Sequence, residues 1–252
     1  MTLSVAPASG GASLGSRDLA CGFPAGESTF ELEFAVDGPR LWNLDHPYLY
    51  RVTLDLSAGD HADEVSVRCG FRDFRFEDGA FRLNGRRIFL RSAHTGNHYP
   101  IGIQLPHDPE LFRRDLYYAK AMGFNMVRFI AGLAHPSQLD FCDEVGLLVY
   151  EESYAGWCLE DSPKMAERYD AATAQMIRRD RNHPCVVIWG MLNETPDGPV
   201  FRHAVEALKL VRSLDETRMA ILNSGRWDGV LSIGSLSNPG SRTWEPLLGA
   251  EG

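Results

Sequence analysis

Apolar and polar positions change their rhythm near residue 77. Before that point they alternate in short stretches. Thr29–Phe34, Tyr48–Leu56 and Glu64–Phe71 each read as a half-buried strand. Asp37-Gly38-Pro39, Asp45-His46-Pro47 and Ala58-Gly59-Asp60 punctuate them as turns. Residues 1–77 therefore predict part of an antiparallel β-sandwich. Three or four strands are visible, where a full sandwich of this kind holds about seven. Its N-terminal part is expected to be missing or poorly ordered.

From residue 78 the rhythm alternates between helical spacing and short apolar runs. Arg87–Leu90 predicts a first strand, and Pro109–Met122 a helix, with Asp108 as N-cap and Gly123 as stop. Asn125–Ile130 predicts a strand, Pro136–Val145 a helix closed by Gly146, and Leu147–Tyr150 a strand buried on both faces. A helix over Pro163–Arg181, a strand over Val186–Leu192 and a helix over Val200–Leu214 follow. Strands over Met219–Leu222 and Val230–Ile233 complete the pattern. Repeated βα units imply a parallel sheet. The first βα turn, Ser92 to His98, holds one glycine and no GxGxxG, which argues against a dinucleotide fold. The favoured fold class is α/β, an incomplete (β/α)8 barrel over residues 78–252, because only five or six strands can be counted.

Composition adds exclusions. With 44% apolar and 23% charged residues the chain supports a sizeable core. Its net charge of −9 argues against nucleic-acid and anionic-membrane partners. Five scattered cysteines without a CxxC pair predict reduced thiols, with neither zinc framework nor disulfide scaffold. No signal peptide or membrane-length apolar run is visible, which leaves the compartment open and leans towards the cytoplasm.

Barrel chemistry sits at the C-terminal ends of the strands. Those ends carry His94 leading to His98, then Arg128, Glu151-Glu152, Asn193-Glu194 and Asn223. A barrel held together only by packing has no need of carboxylates, a guanidinium and imidazoles converging there. Glu194 is the sharpest of them. It follows Val186-Val187-Ile188-Trp189-Gly190-Met191-Leu192, and near Trp189 and other apolar walls its carboxyl would hold a proton near neutral pH. The bland alternative is a carboxylate at a helix start, since Pro196 and Pro199 open the next helix.

The run Arg181-Asn182-His183-Pro184-Cys185 through Asn193-Glu194 resembles the acid/base signature of glycoside hydrolase family 2. Leu41-Trp42, His46 to Tyr50, Gly70-Phe71-Arg72, Leu83 to Arg86, Gly123 to Arg128 and Cys142 to Glu152 agree with that family in order and spacing. The resemblance implies an immunoglobulin-like sandwich before the barrel, and retaining hydrolysis of terminal β-glycosides. It makes Glu194 the general acid/base and Asn193 the partner of the sugar 2-hydroxyl. It places Arg128, Glu152 and His98 around the sugar. Trp157, in Ser153-Tyr154-Ala155-Gly156-Trp157, is a candidate aromatic platform.

Departures shape the expectation. The loop Phe129 to Pro136 replaces a shorter family segment, and His135 stands in it. Tyr154 occupies the position of a histidine that some members use for Mg²⁺, so no metal and no cofactor is expected. The 58 residues after Glu194 are too few for the further βα units that precede the family's nucleophile. Glu245 and Glu251 are poor candidates for it. The expected function is thus a glycosidase piece that carries the acid/base without the nucleophile and acts on a carbohydrate partner. The alternative is a non-catalytic carbohydrate-binding or interaction protein on the same fold. A metal hydrolase built on His94, His98 and Glu152 lacks HxH or HExxH spacing. Sugar specificity and oligomeric state are not legible.

Overall fold

The computed structural model describes residues 1–103, 105–154, 159–224 and 235–246. Strands β1 (Thr2–Pro7), β2 (Gly15–Asp18), β3 (Tyr50–Ala58) and β4 (His61–Cys69) form an antiparallel sheet in the order β2-β1-β3-β4. The N-terminal residues thus supply two strands where the sequence promised little. Thr29–Phe34, in contrast, is not a strand. Its phenylalanines pack singly: Phe30 lies 5.3 Å from Phe23, and Phe34 lies against Gly15 of β2. Their alternation reflects side-chain packing without a backbone ladder.

A three-stranded antiparallel sheet follows, built from β5 (Phe74–Glu77), β6 (Ala80–Leu83) and β7 (Arg86–Ile88). Residue 77, where the sequence rhythm changes, is the last of β5. The strand expected at Arg87–Leu90 belongs to this sheet and not to the barrel. Phe74 and Leu83 bury into the barrel core, and Asn238 holds Phe76 through two backbone bonds of 2.9 Å.

The barrel begins at β8 (Ser92–Thr95) and continues through α1 (Glu110–Ala121), β9 (Met126–Phe129), α2 (Pro136–Val145) and β10 (Leu148–Glu152). Then come α3 (Met165–Asp180), β11 (Val186–Gly190), α4 (Pro199–Glu206), α5 (Leu208–Leu214) and β12 (Met219–Ile221). The helix expected over Val200–Leu214 is thus two helices that meet at Ala207. β8 to β12 pair in parallel and in sequence order. β13 (Ser235–Ser237) and β14 (Glu245–Pro246) extend the sheet antiparallel. Among the described residues the barrel is therefore five parallel strands, an open arc. The strand expected over Val230–Ile233 lies outside the described residues.

Local signals account for the helix ends. Asp108 accepts the Glu110 amide at 3.0 Å. His135 and Gln138 close a capping box on α2, and Gly146 ends that helix at φ 71°. β10 and β11 are buried along their whole length, as a parallel sheet covered on both faces requires. The first sheet is tied to the barrel at α2. Trp42 is fully buried and donates its indole N–H to the Asp143 carbonyl at 2.8 Å. Arg68 on β4 pairs with Asp140 and, at 2.6 Å, with Glu144. No helix among the described residues is long and apolar enough to cross a membrane.

Candidate active site

Strand periodicity decides which side chains reach the barrel interior. Arg128 and Tyr150 are register partners on β9 and β10, and the guanidinium lies 4.9 Å from the Tyr150 ring centre. Glu152 pairs with Gly190 of β11. A Cβ at position 190 would fall 2.4 Å from Glu152 Cγ and 2.5 Å from the Tyr150 ring, so only glycine lets both side chains close over β11.

Arg128 is the hub of the mouth. Its Nε and Nη2 donate to Glu152 Oε1 at 2.9 and 2.6 Å. Nη2 also donates to Asn193 Oδ1 and to Ser224 Oγ, both at 2.6 Å. The Ser224 hydroxyl donates to Asn193 Oδ1 at 2.7 Å. Glu152 Oε2 accepts the Ala131 amide at 2.8 Å and so anchors the loop after β9, where Ala131 adopts φ 47°. Glu152 is buried and ionically paired, an unfavourable place for a carboxylate without such partners.

Among the described residues two polar atoms here have no hydrogen-bond partner, the Asn193 Nδ2 amide and the Tyr150 hydroxyl. Burial first, and then the Glu152 charge, hold the Tyr150 phenol well above its usual pKa. A buried amide donor whose oxygen is fixed by Arg128 and Ser224 has a fixed direction and an unmet hydrogen bond.

Glu194 follows at once. It adopts φ 48°, rare for a residue with a side chain, between buried Asn193 and Thr195. The turn is clasped by Asn223, whose side chain accepts the Thr195 amide at 3.2 Å and donates to the Thr195 carbonyl at 2.8 Å. The Glu194 carboxyl is thereby pushed into the open. Trp189 does not wall it, contrary to expectation. Its side chain is fully buried, and its indole N–H donates to Asp215 at 2.9 Å. On a strand, Trp189 points away from the face that Gly190 presents.

The two glutamates of β10 split in the same way. Glu151 is fully buried, accepts the Ala134 amide at 3.1 Å and lies 3.5 Å from Arg179 on α3. Burial, with the neighbouring Asp180 charge, raises its pKa well above the ordinary range. Glu151 and Glu152 together pin the loop 131–134, one from each face of the sheet.

The remaining sequence candidates are more dispersed. His94 is exposed on β8, in register with Arg128. His98 is exposed and lines a neighbouring cleft of about 520 Å³ with Asn97, Ile130, His135 and Tyr154. His135 is engaged as a helix cap, its Nδ1 2.8 Å from Ser137 Oγ. Tyr154 is 56% exposed, so it is not packing beneath its loop. Trp157 and Glu251 lie outside the described residues. Asp140, Asp143 and His183 bring ligand atoms within 4.8 Å of one another, but each is engaged. Asp140 pairs with Arg68, and Asp143 bonds His183 at 2.6 Å and the Cys185 amide at 2.9 Å. Sequence reasoning missed Ser224 and Tyr150. Ser224 follows Asn223, the polar residue at the end of β12, so the right segment was in view with the emphasis one residue early.

Comparison with known proteins now decides the family. Residues 74–237 match the model for "Glycosyl hydrolases family 2, TIM barrel domain", well over half of the chain. The chain belongs to glycosyl hydrolase family 2. Residues 13–72 match a second model, "Glycosyl hydrolases family 2", so an immunoglobulin-like sandwich precedes the barrel. A β-galactosidase of Vibrio cholerae is 34% identical over 179 residues, covering 67% of this chain and 17% of that protein. One from Thermoanaerobacterium thermosulfurigenes is 31% identical over 186 residues, covering 71% and 25%. The crystal structure of Parabacteroides merdae β-glucuronidase superposes with a TM-score of 0.78 at 29% identity, covering 87% of this chain and 28% of that one. The family 2 chain thus spans about a sixth to a quarter of these curated relatives.

Proposed function

We propose that this family 2 chain carries the acid/base half of a retaining β-glycosidase site, with Glu194 as the general acid/base. The observation that carries the reading is the unmet Asn193 Nδ2 donor, held in direction by Arg128 and Ser224 one residue before Glu194. A sugar hydroxyl completes that bond, and the bond strengthens as the anomeric centre becomes cationic. Glu194 then protonates the departing oxygen and later deprotonates the attacking water. Arg128 and Glu152 shape the floor of the sugar site. His98, which lines the neighbouring cleft, flanks it. The same reading takes residues 1–77 as the sandwich part and 78–252 as the catalytic part, whose barrel strands begin at β8.

A retaining mechanism needs a second carboxyl about 5–5.5 Å from the first. Glu152 is unsuited to that role, because both of its oxygens are engaged by Arg128 and Ala131. On this reading the nucleophile is supplied from outside the described residues, and the chain binds a β-glycoside without turning it over. Saturation-transfer NMR with methyl β-galactoside and methyl β-glucuronide checks the binding. Transfer to at least one of them, lost in Asn193→Ala, is the expected outcome. Equal transfer in both proteins removes Asn193 from the site, and no transfer at all removes the sugar site from this chain.

A further inference from the structure

At the opposite end of the sheet, where β11 and β12 begin, three arginines converge on a cleft of about 380 Å³. Arg72, Arg181 and Arg218 line it, with Asp73, Asn182 and Thr217. Among the described residues Arg72 donates only to main-chain carbonyls, those of Pro184 at 3.2 Å, Thr217 at 3.1 Å and Val186 at 2.7 Å. Arg218 shares the Val186 carbonyl at 2.8 Å and donates to Asp215 at 2.9 Å. One carbonyl therefore holds two guanidiniums side by side, and of the two only Arg218 is ion-paired among the described residues, with Asp215.

That carboxylate is heavily engaged. Asp215 also accepts from the Trp189 indole at 2.9 Å and the Thr217 hydroxyl at 2.7 Å. Asp73 is gripped by Arg75 at 2.7 Å. Arg181 is exposed, donates to the Leu214 carbonyl at 3.0 Å and forms no ion pair among the described residues. The imbalance is felt by Arg72. Burial first, then the Arg218 charge, pull its pKa down to about 9, against smaller opposing pulls from Asp215 and Asp73. In a chain of net charge −9 this cleft is a local island of positive charge.

We propose that the cleft is a binding site for a small phosphate group, either the free ion or a phosphate monoester. Each Nη of Arg72 uses one of its two hydrogens on a carbonyl, and the other has no protein partner among the described residues. Guanidinium forks match the oxygens of phosphate, and a dianion between Arg72, Arg181 and Arg218 removes the repulsion between them. Arg218 is 95% buried at its side chain and fixed by four acceptors, so one wall of the site is rigid. Arg181 and Asn182 supply the open wall.

Isothermal titration of the purified chain with inorganic phosphate, against chloride at equal ionic strength, tests this. A saturable one-to-one isotherm in the millimolar range is expected. Arg181→Ala and Asn182→Asp, both at exposed positions, weaken it about ten-fold or more. Arg178→Ala, on the exposed face of α3, leaves it unchanged. Titration with glucose 1-phosphate separates the sources: tighter binding than phosphate marks a monoester, and equal binding the free ion. Absence of a saturable isotherm, or equal affinity in wild type, Arg181→Ala and Asn182→Asp, overturns the proposal.

Discussion

Arg128 makes four hydrogen bonds to three side chains from three different strand ends. Glu152, 1% exposed at its side chain, depends on it for charge compensation. Arg128→Met should therefore lower stability by roughly 3–5 kcal/mol, read from urea unfolding, because it strands a buried carboxylate. Arg128→Met combined with Glu152→Gln should recover much of that loss, since the double change removes the stranded charge with its partner. Asp215 gives a second residue-level expectation. Burial raises its pKa, but Arg218, Thr217 and Trp189 outweigh burial and hold it at about 2, below the ordinary 3.8. A carboxyl depressed in the folded state stabilises the fold above its unfolded pKa and loses that contribution as pH falls through the folded one. Stability should fall between about pH 4 and pH 2, by about 2 kcal/mol from this group. Unfolding followed across that range should show the fall in the wild type, with the Asp215 part absent in Asp215→Asn.

At the scale of elements, the helices and buried strands were legible because caps and glycines mark their ends. Pro136–Val145 is bounded by a capping histidine and a left-handed Gly146, and the helix stands as expected. What misled was alternation without a ladder. Thr29–Phe34 alternates as well as β3 does, yet no strand among the described residues pairs with it, and periodicity carries no information about the partner. Trp189 shows the same limit. Its place before Glu194 suggested a wall for the carboxyl, but on a strand its position sends it to the opposite face, where Asp215 waits. The contact between the first sheet and α2 makes an element-scale prediction. Trp42, in the segment before β3, is fully buried beside α2, so Trp42→Ala should cost about 3–5 kcal/mol. Protease cleavage in the β1–β4 sheet should quicken before the barrel core melts, and unchanged cleavage in both parts would count against that docking.

At the scale of the whole molecule, the five parallel strands among the described residues form an arc with β8 at its edge. Family membership, the barrel and the Asn193-Glu194 position were legible because the motif sits at a strand end, where chemistry concentrates in this fold. Ser224, the Glu194 backbone turn and the engagement of both Glu152 oxygens were not, because they arise between segments far apart in sequence. The proposed function makes Glu194 the acid/base of a site whose other carboxyl comes from outside the described residues. Turnover of aryl β-glycosides tests it most directly, by the chain alone and joined to the downstream barrel segment of a family 2 relative, with Glu194→Gln beside each. No turnover by the chain alone is expected. Turnover by the folded joined protein is expected, and it should drop about 10²–10⁴-fold in Glu194→Gln. Undiminished turnover in Glu194→Gln, or turnover by the chain alone, would contradict it.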